Sequence, residues 1–285
     1  MVRITEQRLT VGQLTWFYRE ALPLGEQSDR PPVVFLHGLV SQSYSWRNVL
    51  PKVAEQGLRA IAPDWMGHGF SDFPEKRDFA YTPEAFVTAL EDFLAALGIE
   101  RLHLVVQGFL GAYGLLYALR HPERIERLVI INTPLEATVK LPGALRRMTW
   151  PLAGEMMTQD PLLVDRTLEG GGPYQVKDQD LDVYRKPFLT TSAAGRSLLF
   201  TLRNFDLATT TQTIAAALPQ WQPMTLLIWG TADPWLPVAL AERWVTALPQ
   251  GELAKLEEVG HYAQEDWAEK VVAALLPFLR RMDVS

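Results

Sequence analysis

An α/β fold, with a doubly wound and mostly parallel sheet, is what this 285-residue chain predicts, and three observations predict it. Pro32 to Leu36, Ala60 to Pro63, Leu102 to Val106, Leu128 to Asn132 and Met224 to Trp229 are short apolar runs, the pattern of parallel strands covered on both faces. Helical patterns alternate with these runs, as successive strand–helix units require. The alternation breaks from about Pro134 to Pro223, which carries helical patterns, glycines and no strong strand. The organisation expected is therefore a core of residues 1–133 and 224–285, with a helical cap at 134–223 inserted before the penultimate strand.

Taken in order, Met1-Val-Arg-Ile-Thr-Glu-Gln is polar and alternating, which fits an opening strand and not a signal peptide. Leu14-Thr-Trp-Phe-Tyr-Arg alternates like a half-buried strand, and Gly25 to Pro32 is turn material. Thr82 precedes Pro83 and an apolar periodicity reaching Leu97, so a capped helix is expected there, stopped by Gly98. Gly111 to Arg120 reads as the next helix, ending near Pro122. Leu226 to Asp233 and Glu258-Val-Gly-His261 read as two further strands, one ending at an acid and one at a histidine. Between them there is room for one helix and one strand. Within the interrupted stretch, Trp150, Phe188 and Phe200 favour a lid over a surface excursion without function. Trp150-Pro-Leu-Ala-Gly-Glu-Met-Met157 reads as lid packing against the core, or as a surface for a membrane or a greasy ligand.

Composition narrows the function. With no cysteine, disulfides, thiolate metal sites and cysteine nucleophiles are excluded. His37, His68, His103, His121 and His261 show no spacing typical of a metal site, and no cofactor is implied. A net charge of −6 without a basic run argues against nucleic acid. No apolar run approaches the roughly 20 residues that span a bilayer. A soluble, cytoplasmic globular protein is expected.

Four segments carry chemistry. His37-Gly-Leu-Val-Ser-Gln-Ser-Tyr-Ser-Trp46-Arg47 follows a buried strand, and Val105-Val-Gln-Gly-Phe-Leu-Gly111 takes a strand sharply into a helix. Asp233 follows a third strand, and Gly260-His-Tyr-Ala-Gln-Glu-Asp266 closes the series. In this order the chain resembles the α/β-hydrolase family over nearly its whole length, with elbow, acid and histidine in sequence. Its segments are most similar to the HGxPTxSxxWR, VVQDWGG and GHFxQED motifs of the haloalkane-dehalogenase branch, and Tyr184-Arg-Lys-Pro-Phe188 to that branch's YRxPF segment. Asp64 to Asp72 matches the family's D-x-x-G-x-G-x-S-D loop, in which Asp64 and His68 are assigned structure and no catalysis. The spacing of Gly108, Gly111 and Gly114 is read as close packing of helix on sheet, since no Lys-Ser/Thr follows as a phosphate loop requires.

The resemblance implies that Asp233 orients His261, and that the backbone N–H groups of Leu39 and Phe109 form an oxyanion hole. It also exposes departures. Gly108 stands where the branch has its nucleophilic Asp, so the nucleophile position is vacant. Phe109 and Leu39 replace the side chains that hold halide, and Leu110 replaces a small residue, a second change that a simple engineered knockout would not make. An elbow residue adopts strained angles, which glycine takes without penalty. Three readings stay open: a nearly inactive relative that binds a small apolar ligand or a protein partner, with peripheral membrane contact through the cap as a further expectation; an enzyme using Asp233–His261 as a general base without a covalent intermediate; and an esterase with a displaced nucleophile among Ser41, Ser43 and Ser45.

Overall fold

The structure, a computed structural model, describes residues 2–25 and 30–281; residues 26–29, within the turn expected from Gly25 to Pro32, lie outside the described residues. Among the described residues, eight strands make one sheet in the order β1-β2-β4-β3-β5-β6-β7-β8. The hairpin β1 (Ile4–Val11) and β2 (Leu14–Ala21) leads to β3 (Val33–Leu36), the short α1 (Leu50–Ala54) and β4 (Ala60–Pro63). There follow α2 (Pro83–Ala96), β5 (Leu102–Gln107), α3 (Gly108–Arg120) and β6 (Ile125–Ile131). The β1–β2 and β2–β4 pairings are antiparallel; from β4 through β8 the sheet is parallel.

Alternation along each strand divides the core in two. Val34, Leu36, Leu104, Val106, Leu128 and Ile130 pack with α2 and α3. Val33, Phe35, Val105, Val129 and Ile131 face the other way, among residues of α1 and of the final helix. A strand buried on both faces has to be apolar at every position, which is why these runs were legible. The expected cap on α2 is present: the Thr82 hydroxyl accepts from the Ala85 N–H at 3.3 Å, and Gly98 ends the helix region at φ +67°.

Between β6 and β7 (Met224–Gly230) the chain makes helices only, among the described residues: α4 (Gly143–Met148), α5 (Ala153–Met157), α6 (Leu163–Glu169), α7 (Asp178–Thr190), α8 (Ser192–Arg203) and α9 (Leu207–Ala217), with short 3-10 turns. The fold closes with α10 (Val238–Ala247), β8 (Gly251–Leu256), α11 (Ala263–Asp266) and α12 (Ala268–Arg280).

Three expectations need correction. β2 is not half-buried: Trp16 to Ala21 are all buried. It lies between β1 and β4, with Trp16 and Tyr18 against Phe93 on one face and Phe17 against Phe70 on the other. The last strand ends at Leu256, so Glu258 to His261 form a loop and not a strand; Glu258 turns at φ +65°, which breaks extended pairing. Finally, α3 starts at Gly108, three residues before the predicted Gly111, because the strand passes into the helix with no intervening loop.

The recognised motifs meet at the seam between core and cap. Arg47 makes a two-pronged contact with Glu265 at 2.7 and 2.6 Å and reaches Asp180 of α7 at 3.2 Å. From the cap, the Tyr184 hydroxyl donates to Glu265 at 2.5 Å, and the Tyr44 hydroxyl donates to Asp180 at 2.8 Å. Forked Arg–carboxylate pairs are directional, so this cluster sets how α7 seats on the core.

Candidate active site

The parallel register sets the ends of β3, β5, β6 and β7 side by side, through Leu36↔Val106, Gln107↔Ile131 and Ile131↔Ile228. Ligand sites of open α/β sheets form outside such carboxyl ends. Gly108 leaves β5 at φ +66°, the left-handed angle expected of it. A Cβ added there would stand 3.1 Å from the Gly38 Cα and 3.1 Å from His261 Nε2, so the elbow points straight at the imidazole. Gly111 and Gly114 behave as read: an added Cβ would come within 2.9 Å of Thr133 and 2.6 Å of Val106.

Gln107 ties the elements together. Its Oε1 accepts from the Gly38 N–H at 3.1 Å, and its Nε2 donates to the His261 carbonyl at 2.8 Å. His37, before Gly38, is fully buried, and that burial lowers its pKa. The neutral ring accepts from the Trp65 N–H at Nε2 (3.0 Å), leaving Nδ1–H to donate to the Gly38 carbonyl at 2.8 Å. It is a fastener of the turn.

The acid and histidine meet as expected. His261 Nδ1 lies 2.8 Å from Asp233 Oδ2. Asn132 Nδ2 donates to the same oxygen at 2.7 Å, while Oδ1 accepts from the N–H groups of Trp235 and Leu236 at 2.7 and 3.0 Å. Asp233 thus fastens a turn and orients the imidazole at once, where sequence reasoning treated these as alternatives. With Nδ1–H donating to the carboxylate, Nε2 is left as the acceptor facing Gly108. His261 is 1% exposed, with the rings of Trp235, Tyr262 and Phe109 centred 4.7, 5.1 and 5.4 Å from its own. Its backbone N–H donates to the Gly171 carbonyl of the cap at 2.6 Å.

Leu39 and Phe109 are both buried beside this pair. Phe109 is the second residue of α3, so its N–H is among the first four of the helix, which lack an intrahelical acceptor. The Leu39 carbonyl accepts from the Tyr262 hydroxyl at 3.0 Å, fixing the turn that carries its N–H. Neither side chain has a polar atom to hold a halide. Ser43 and Ser45 are engaged, with Arg19 and Gln264. Asp64 binds the N–H groups of Ser43 and Phe70 at 2.6 and 2.7 Å, and His68 contacts Thr201 at 3.2 Å; both hold loops together.

Three residues escaped assignment from sequence: Gln107, Asn132 and Asp266. The first two are polar residues at the ends of otherwise apolar strands, a signal that marks a side chain needed at a strand end. Asp266 accepts from the Gly260 N–H at 2.7 Å, and burial pushes its carboxyl up to about 7. Among the described residues no group of three or more His, Asp or Glu is arranged to hold a metal, and no helix is long and apolar enough to cross a membrane.

The fold and this constellation have relatives. Residues 31–267 match the α/β hydrolase fold family. The chain is 30% identical over 266 residues to a cis-3-alkyl-4-alkyloxetan-2-one decarboxylase of Shewanella oneidensis, covering 87% of this chain and 81% of that protein. It is 29% identical over 294 residues to a haloalkane dehalogenase of Bradyrhizobium diazoefficiens, covering 95% and 92%. A crystal structure of a loop variant of the haloalkane dehalogenase DbeA from Bradyrhizobium elkanii superposes with a TM-score of 0.83 at 26% identity, covering 97% of this chain and 96% of that one. With Gly108 held against the Asp233–His261 pair at the strand ends, the chain belongs to the α/β-hydrolase fold family, among its haloalkane-dehalogenase-like members.

Proposed function

We propose that this protein no longer runs a covalent hydrolytic cycle, and that it binds a small apolar ligand in the space between core and cap. One observation carries the reading: at the elbow there is no side chain, and His261 Nε2 stands 3.1 Å from where a Cβ would be. That separation is tighter than a side chain ordinarily tolerates, so even a restored nucleophile would need the imidazole to shift. Loss of a triad nucleophile removes about a millionfold of turnover, leaving roughly 10³–10⁴ over water from binding and the oxyanion hole. The apolar surroundings of the pair, Leu39, Phe109, Trp235 and Tyr262, favour a ligand without charge.

A second reading rests on a different observation. The Asp233 carboxylate is held by Asn132 and two backbone N–H groups in addition to His261, which keeps Nε2 aimed at the vacated space. In this reading His261 acts as a general base on water or on a substrate O–H or C–H, while the Leu39 and Phe109 N–H groups stabilise an oxyanion. The decarboxylase named above acts on an oxetan-2-one, so a strained four-membered lactone is a substrate class to include in the test.

The deciding experiment compares wild type with His261→Ala on p-nitrophenyl esters, epoxides, haloalkanes and an alkyl oxetanone, with thermal shift by the same compounds measured in parallel. Binding without turnover in both proteins supports the first reading. Turnover in wild type that vanishes in His261→Ala replaces it with the second.

A further inference from the structure

The cap turns an apolar surface outward. Trp150, Leu152 and Met156, in the stretch read either as lid packing or as a surface for a membrane or greasy ligand, are 57%, 77% and 75% exposed. They occupy the turn between α4 and α5 and the outer side of α5. The inner side is seated firmly: a Cβ on Gly154 would stand 2.8 Å from Leu199 of α8, and Arg203 of α8 pairs with Glu155 at 2.8 Å. The exposure is thus a property of a docked element and not of a loose end.

Two further observations say what covers it. Leu152 takes φ +64°, a left-handed angle that an L side chain adopts only at a cost, and it takes it while pointing an apolar group into solvent. The local charge runs opposite to that of the chain. Overall the protein carries −6, yet Arg146 and Arg147, in the last turn of α4 just before Trp150, are exposed and neither makes an ion pair within the described residues. The acids nearby are already neutralised, Glu155 by Arg203 and Asp160 by Arg166 at 2.6 Å. What remains is a tryptophan, a leucine and a methionine rimmed by unpaired cations, a combination suited to the headgroup region of a bilayer.

We propose that the α4–α5 corner of the cap is a docking surface for an anionic lipid membrane, with Trp150, Leu152 and Met156 entering the interface and Arg146 and Arg147 meeting lipid phosphates. This assignment stands whichever reading of the Gly108 site holds.

The test is flotation of the full chain with phosphatidylcholine vesicles, with and without phosphatidylglycerol. Wild type is expected to float with the anionic vesicles and to be released as salt rises. Arg146→Gln/Arg147→Gln should bind them about fivefold more weakly for each charge removed. Leu152→Gly separates surface from scaffold: freed of the left-handed strain, it should melt at a higher temperature than wild type while floating less. Trp150→Ser/Met156→Ser should also float less with its melting temperature unchanged. The proposal is overturned if wild type ignores anionic vesicles at low salt, or if these variants float as well as wild type. It is equally overturned if sedimentation shows a self-associated protein that the same substitutions dissociate, for the occupant would then be a second copy of this chain.

Discussion

Two corners of one site use the same backbone region in opposite ways. At the elbow, the left-handed angle of +66° belongs to Gly108, which takes it freely. At the acid corner, the left-handed angle of +40° belongs to Asn132, which does not. Asn132 cannot become glycine without loss, because its amide donates to Asp233 at 2.7 Å while its Oδ1 accepts from the Gly230 N–H at 3.0 Å. Strain is retained where a side chain is needed and released where none is. The histidine corner is therefore held by interactions in which the elbow residue takes no part.

The comparison can be broken most sharply at Asp233. Asp233→Ala leaves the Asn132 amide, two backbone N–H groups and His261 Nδ1 without their acceptor in a buried setting. A loss of about 3–5 kcal/mol in denaturant unfolding is expected; a loss below about 1 kcal/mol, the size of an ordinary substitution, would mean the corner is not a stabilising unit. Gly108→Ala comes next, with about 1–2 kcal/mol lost to the left-handed angle and a further strain from the approach to Gly38 and His261 Nε2 at 3.1 Å each. An unchanged melting temperature would contradict the elbow geometry.

A third effect sharpens the comparison by adding pH. The Asp266 carboxyl holds its proton up to about 7 in the folded chain, chiefly through burial, against an ordinary value of 3.8. Folded chains then bind more protons than unfolded ones between those values, so this group makes stability fall as pH rises from about 4 to about 7. His68 works in the other direction. Burial pushes it down to about 3, so its contribution is complete above the ordinary 6.5 and is lost as pH falls below that. The readout is consequently the difference between wild type and Asp266→Asn: the variant should lose less stability across this window. Parallel melting curves for the two would assign the slope to other groups.

Much of this was legible in the chain because burial on both faces of a parallel strand leaves an unambiguous apolar run, and β3, β4, β5, β6 and β7 all fall on such runs. Gly108, Asp233 and His261 were legible through the order of strand ends. What escaped depended on contacts far apart in sequence. The half-buried reading of β2 failed because its second cover, Phe70 and the side chains around it, comes from a later loop. Glu258 to His261 looked like a strand because Val259 is apolar, yet the segment is shaped by the cap's glycines. For Trp150, Leu152 and Met156 the sequence left two readings, lid packing or an outward surface, since an apolar residue on a short helix reads the same whether it faces the core or the solvent.

The seam over His261 is made of backbone. A Cβ on Gly260 would come within 2.4 Å of the Gly172 Cα and 2.5 Å of the Gly171 carbonyl, and the His261 N–H is itself bonded to that carbonyl. No rotamer can swing aside here to admit a molecule. Along this side of the imidazole, admission requires two main-chain segments to part, a motion on the microsecond-to-millisecond scale of collective domain movement and not the picosecond-to-nanosecond scale of exposed side-chain flips. A ligand entering here would therefore be taken up no faster than the cap opens along this seam.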